Sequence, residues 1–282
     1  MLLITDLHRD LDFTFYNEAD VVWERLIMHE YRELLYACYR TGHYEAINPG
    51  GLNRYYAEDY RSQIAHFLPL DRKARIVDLG CGKGFLVEFL VREGYENVLG
   101  VDTSPEQVEF GKKSGLPVVR ADALQFLREN KDFDLVICTD LVEHFAKDEI
   151  VDLLRAIYDA LAPSGSVIIR TINCSSILGA TARYTDFTHE TGFTERSLRQ
   201  VLVACGFKRV LITDSKITFH WRPKRFIRWS LFKLWRMVLR TILALELGVG
   251  RPRLLGADLI AQAFKRSNSE LKECVARPTT LG

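Results

Sequence analysis

An apolar strand that runs straight into three alternating glycines, Val77-Asp78-Leu79-Gly80-Cys81-Gly82-Lys83-Gly84, constrains this chain more than any other stretch. Glycine adopts backbone conformations that other residues avoid, and it lets a ligand approach the main chain closely. A helix starting at once, at Phe85, leaves its first amide hydrogens pointing toward the turn. Strand, turn and helix packed as one α/β unit is the arrangement that uses all of these features. The neighbouring sequence repeats that unit. From Lys73 onward the apolar runs ARIVDLG, NVLGVD, PVVRAD, FDLVICTD and GSVIIRT alternate with the amphipathic segments FLVEFLVREG, PEQVEFGKKSG and EIVDLLRAIYDALAP. Near-continuous apolar strands separated by helices predict a parallel sheet covered on both faces, an α/β doubly wound, Rossmann-like fold. Ligands of such sheets bind beyond the carboxyl ends of the strands, so the residues just after each strand are where function is sought.

The flanks read differently. Between Asn17 and Arg40, Val22, Leu26, Tyr31, Leu34, Leu35 and Cys38 recur at helical spacing, and Gly42 with Asn48-Pro49-Gly50-Gly51 breaks the pattern. A second helix is predicted from Asn53 to Phe67, stopped by Pro69. Residues 1–72 therefore form a helical lid, with Tyr55, Tyr56, Tyr60 and Arg61 facing an acceptor, ahead of a core at 73–218. Within that core Thr194 to Cys205 reads as a helix and FKRVLIT as the next strand. Residues 219–253 form a basic helical segment, 254–266 hold one more apolar run, and 267–282 are predicted to be a disordered tail.

Composition closes off other classes. With 48% hydrophobic and 27% charged residues the chain can bury a large core, and 38 basic against 37 acidic residues give a formal charge of +1, unlike a nucleic-acid-coating polycation. The six cysteines stand singly with no C-x-x-C pair, which favours a reducing compartment. The start of the chain has no basic segment followed by an apolar stretch, and no uncharged apolar run reaches the length of a membrane span, so a cytoplasmic protein is expected.

The series VDLGCGKG, VLGVDTSP, RADALQFL and FDLVICTDLVEHF resembles the class I S-adenosylmethionine-dependent methyltransferases in order and spacing, over about residues 73 to 213. The resemblance implies a seven-stranded sheet, S-adenosylmethionine as cofactor, and a final antiparallel strand, here ADLIAQAFKR, inserted between the fifth and sixth. It places the methionine part of the cofactor on Gly80, Gly82 and Gly84, with Asp78 helping to anchor the loop, the ribose on Asp102, and the adenine on Asp122 with Ala123; Cys81, Thr103 and Thr139 complete the cofactor-binding set. The G-x-G-x-G spacing argues against a dinucleotide cradle.

Methyl transfer from a sulfonium is an in-line displacement, so orientation supplies much of the rate, and a hydroxyl acceptor also needs a base. Two clusters follow strands. Asp140, Glu143 and His144 come after the fourth, and Arg183 to Glu190, containing Asp186 and His189, lies in a long loop after the fifth. That second cluster with GFTERSL resembles a D-F-T-H-E stretch of bacterial methyltransferases associated with polysaccharide and lipopolysaccharide assembly. The resemblance implies a sugar hydroxyl of a glycan or glycolipid as acceptor. His189, oriented by Asp186 or Glu190, is the expected base, with His144 as a further catalytic candidate. A small aromatic, quinone-like or nucleobase acceptor, and a non-catalytic cofactor-binding module, are the alternatives. Asp140, Glu143, His144, Asp186 and His189 lack tight metal-ligand spacing, and no metal is expected.

Between Phe219 and Arg253 nine basic residues face one acid, Glu246, a local charge of +8 that leaves −7 on the rest of the chain. On a helical wheel Arg225, Arg228, Lys233, Arg236 and Arg240 share one arc, and Ile227, Leu231, Leu234, Trp235, Val238 and Ile242 the other. Such a helix, over 222–243, fits peripheral contact with an anionic membrane at the inner face. Packing of its apolar face on the sheet or on a second subunit fits equally, and nucleic-acid contact is the least expected of the three.

Overall fold

The computed structural model describes residue 35 and residues 53–215, 225–248 and 252–265. Its centre is a seven-stranded sheet in the order β3-β2-β1-β4-β5-β7-β6. The strands are β1 (Arg75–Leu79), β2 (Asn97–Asp102), β3 (Val118–Arg120), β4 (Phe133–Thr139), β5 (Leu161–Ile172), β6 (Val210–Asp214) and β7 (Asp258–Phe264). The first five pair in parallel, and β7 enters antiparallel between β5 and β6. The seven-stranded doubly wound fold is thus the one expected, and the last strand lies inside 254–266 where the sequence placed it.

The described helices are α1 (Asn53–Gln63), α2 (Phe85–Arg92), α3 (Pro105–Lys113), α4 (Ala123–Glu129), α5 (Lys147–Ala160), α6 (Gly179–Thr185), α7 (Glu195–Ala204) and α8 (Arg225–Leu247). Successive strand residues point to opposite faces, which sorts the apolar runs into two layers. Val77, Val136 and Cys138 pack with Leu153, Leu154 and Ile157 of α5 and Leu198 and Leu202 of α7. Ile76, Leu135 and Ile137 pack with Ile64 beyond α1 and with Leu86 and Leu90 of α2. Both faces of β1 and β4 are sealed, so neither strand shows polar alternation.

Three boundaries depart from the sequence reading. The helix read through Ala162-Pro163 ends at Ala160, where Leu161 turns to extended backbone and β5 begins, because proline cannot continue a helix. The Asn53 to Phe67 helix stops at Gln63 and resumes as a 3₁₀ turn over Ala65–Phe67. Arg183 to Thr185, read as loop, form the end of α6. The Asn17–Arg40 helix and the 267–282 tail lie outside the described residues, apart from Leu35, which is helical.

Because β6 is antiparallel to β7 and β7 to β5, Asp214 ends β6 at the same edge of the sheet as the carboxyl ends of β1, β4 and β5. The 215–257 insertion therefore leaves and re-enters the core at that edge. Among the described residues no helix is long and apolar enough to cross a membrane.

Candidate active site

The glycine loop is held from two sides. Gly80 and Cys81 donate their amides to the Val101 carbonyl at 2.8 and 3.1 Å, and Gly82 donates to Asp102 Oδ2 at 2.8 Å. Gly80, Gly82 and Gly84 all take left-handed backbone angles, φ +68°, +52° and +80°. A Cβ on Gly80 would meet Leu141 Cδ1 at 2.8 Å, whereas one on Gly82 would meet nothing within 4 Å. Gly82 thus borders open space at the mouth of the loop. The Cys81 side chain turns inward: its buried Sγ fills the space over Gly100 of β2, where a Cβ would lie 2.8 Å away. Its side chain is core packing, and only its backbone belongs to the loop.

Asp78, at 1% exposure, has both carboxyl oxygens buried without a hydrogen-bond partner. Burial, then the nearby Asp102, push its carboxyl well above the usual range. An unpaired carboxylate in such a place is costly unless a cation or donor joins it. Asp102 accepts the Ser104 amide on Oδ1 at 2.8 Å as well as Gly82 on Oδ2. That fixes its plane at the end of β2 and leaves each oxygen lone-pair capacity for a hydroxyl donor. Burial raises its carboxyl, opposed by those amide bonds. Thr103 is exposed, and its carbonyl accepts Arg120 Nε at 3.1 Å. Asp122 caps α4 through the Gln125 amide at 2.9 Å, beside the buried Ala123. Thr139 is half-buried at the end of β4, in register with Arg170.

Arg170 is a buried charge at the site that sequence reading did not single out. It lies 8% exposed in β5, donates Nε to Asp140 Oδ1 at 3.1 Å, bonds Asp140 again through Nη2, and reaches Asp59 of α1 through Nη1 at 3.0 Å. Its guanidinium stands 5.9 Å from the Tyr60 ring centroid. A charged residue inside the apolar run VIIRT was the available signal, since a buried arginine demands carboxylate partners. Asp140 follows β4 with φ +53°, a left-handed turn that brings its side chain to this clamp. Of the aromatic lid residues, Tyr60 is buried beside Phe89, Tyr56 stacks on Phe85 at 5.1 Å, and Arg61 pairs with Glu93 at 2.6 Å. These three hold α1 to α2.

His144, Asp186 and His189 converge. The two imidazoles meet edge to face at 4.8 Å between centroids. Thr188 donates its hydroxyl to Asp186 Oδ1 at 2.7 Å, which leaves its oxygen to accept from His144 Nδ1 at 2.9 Å. Burial, then the neighbouring His189, lower the His144 pKa to about 4, so the ring is neutral at working pH. His189 Nδ1 faces the carbonyls of Ala182 and Arg183 at 3.2 and 3.3 Å. Two acceptors require the proton on Nδ1, so Nε2 carries the lone pair. Backbone carbonyls hold His189 Nδ1, and the Asp186 carboxylate lies within 4.8 Å of the ring's ligand atoms. Glu143, 1% exposed, accepts from Thr171 at 3.0 Å, and its backbone carbonyl receives the amides of Glu190 and Thr191. Burial, then Asp140, push its carboxyl up to about 8. The candidate ligand atoms of His144, Asp186 and His189 all lie within 4.8 Å of one another, close enough to share a metal ion, a grouping the sequence spacing had hidden.

An anchored glycine turn, an orphaned carboxylate and a fixed acid share one sheet edge, the arrangement that the resemblance to class I methyltransferases implies. The model of the family described as "Methyltransferase domain" matches residues 52–212, and the chain belongs to that family. A ubiquinone biosynthesis O-methyltransferase of Rickettsia conorii is 28% identical over 131 residues, covering 41% of this chain and 44% of that protein. The protein of the same name from Brucella anthropi is 37% identical over 106 residues, 35% of this chain and 41% of its own length. The chain thus spans less than half the length of these curated relatives. A SAM-dependent methyltransferase from Archaeoglobus fulgidus superposes with a TM-score of 0.58 at 23% identity, covering 79% of this chain and 98% of that one. A plantazolicin methyltransferase in complex with SAH superposes at 0.53 and 16% identity, covering 87% and 99%. Both share the fold. The residues fit S-adenosylmethionine: the α-ammonium and sulfonium are the cations that Asp78 lacks, and Gly82 leaves room beside them.

Proposed function

We propose that this chain methylates a ring hydroxyl of a small quinone-like acceptor, with Asp78, the glycine loop and Asp102 holding S-adenosylmethionine and His189 taking the acceptor proton. The bound cofactor supplies an electrophilic methyl group. The observation that carries the reading is the tautomer of His189, whose Nδ1 proton is fixed by two carbonyls so that Nε2 is the basic atom. A phenolic hydroxyl ionises near pKa ~10, within the range that general-base help can draw on. A neutral imidazole can help remove such a proton. A sugar hydroxyl is a weaker acid than a phenol, nearer to water at roughly 15.7, and leans harder on the base. The ubiquinone biosynthesis O-methyltransferases among the relatives support the same acceptor class.

His144 acts through another residue. Neutral and bonded to Thr188, which Asp186 fixes in turn, it packs against His189 and positions that ring. The glycan acceptor implied by the Asp186 to Glu190 stretch is the competing reading. Much of that stretch serves the loop itself, as Thr188 binds Asp186 and Arg183 binds the Glu190 carbonyl. Release of S-adenosylhomocysteine decides the matter when the chain is offered a catechol-type quinone precursor beside a bacterial glycan extract. Turnover with the phenolic compound is expected; turnover with the glycan alone reverses the assignment.

A further inference from the structure

Helix α8 turns an apolar face outward. Ile227, Leu231, Leu234, Trp235, Met237, Val238, Ile242 and Leu245 are all exposed, between 41% and 82%. At 3.6 residues per turn they occupy one arc of roughly 160°. The half-buried stripe of Phe232, Arg236, Leu239 and Leu243 lies opposite. Through that stripe Arg236 pairs with Asp214 at 2.9 Å and lies 4.8 Å from the Phe232 ring centroid. Packing of the exposed apolar arc on the sheet, one of the sequence alternatives, is therefore not what the helix does: the opposite stripe, tied down by the Arg236–Asp214 pair, faces inward, and the apolar arc points away. Exposed Lys233 and Arg240 border that arc on the Met237 side.

We propose that α8 docks this chain on an anionic lipid surface, its apolar arc set among the acyl chains and its basic residues among the headgroups. Charge selects this occupant. The 219–253 segment carries +8 while the remaining chain carries −7, so a second copy brought face to face would oppose like charges, whereas acidic headgroups match them. An arc this broad exceeds the narrow seam of a paired helix and suits burial in a lipid interface. With its many basic residues α8 is no crossing helix, and it lies on the surface. Asp214, which anchors it, ends β6 at the sheet edge that carries Asp102 and Asp140, so docking turns the site's edge toward the lipid. This placement stands on geometry and charge, independently of which acceptor is methylated.

Flotation of the full chain tests it, using phosphatidylglycerol-rich vesicles, phosphatidylcholine vesicles and no vesicles. The intact chain is expected to rise with the anionic vesicles and to be released by salt. Leu231→Ser with Leu234→Ser is expected to weaken partition at least about tenfold, since each buried leucine is worth roughly that much. Lys233→Glu with Arg240→Glu is expected to do the same on anionic vesicles only. All four positions are exposed, and an unchanged melting curve separates lost docking from lost folding. No flotation of the intact chain on anionic vesicles at moderate salt overturns the proposal, as does equal flotation on neutral ones. A dimer in buffer that the leucine variant dissolves, without vesicle binding, assigns the face to a second copy.

Discussion

His144 and His189 meet edge to face, with ring centroids 4.8 Å apart, yet different atoms hold them: a threonine hydroxyl orients the first and two backbone carbonyls the second. That division separates the base from its support. His189→Ala is expected to cut turnover by about 10²–10⁴, the usual worth of a positioned base, with S-adenosylmethionine affinity unchanged. His144→Gln should lower turnover less. Single-turnover rates and calorimetry on both variants check this, and an unimpaired His189→Ala removes the base.

Gly80 and Gly82 share left-handed backbone but not surroundings, so alanine should affect them differently. Gly82→Ala adds a methyl in open space and should cost about 1–2 kcal/mol of stability, from backbone strain alone, while blocking the cofactor. Gly80→Ala adds the overlap with Leu141 and should lose roughly 1–3 kcal/mol more. Denaturant titration paired with binding measurements should show the larger affinity loss at Gly82 and the larger stability loss at Gly80.

The fold was legible because β1 and β4 are sealed on both faces and their apolar runs say so directly. Even the late strand at Asp258–Phe264 stood out as an isolated apolar run. The cofactor loop was legible because its glycines and following acids sit at fixed distances along the chain. The Arg170 clamp was not, since its partners Asp59 and Asp140 are 111 and 30 residues away and only the folded sheet joins them. The same holds for the Thr188 bridge to His144, 44 residues apart. Local pattern reports what an element is, and long-range pairing decides what its polar residues do.

Glu143 makes stability depend on pH. Its folded carboxyl sits at about 8 against an ordinary 4.5, so the folded state keeps a proton that the unfolded chain releases. Stability should be undiminished below the ordinary value and fall as pH rises toward 8, by at most roughly 1.4 kcal/mol per pH unit. Glu143→Gln keeps the acceptor for Thr171 and cannot ionise. Thermal melts should show the variant gaining on the parent between pH 5 and 8 and matching it near pH 4.5.

A base mechanism needs no ion at His144, Asp186 and His189, although their ligand atoms are close enough to share one. Turnover is expected to survive excess chelator. Loss of activity restored by a divalent cation would instead make those three side chains metal ligands and replace the role given to His189.

The central claim is that Asp102, held by the Gly82 and Ser104 amides, binds the sugar of an adenosyl cofactor. Isothermal calorimetry with S-adenosylmethionine measures it most directly. The intact chain should bind with clear heat, and Asp102→Ala should bind about a hundredfold more weakly, as expected for losing hydrogen bonds to a charged group. No heat with the intact chain, or equal affinity in the variant, would contradict it.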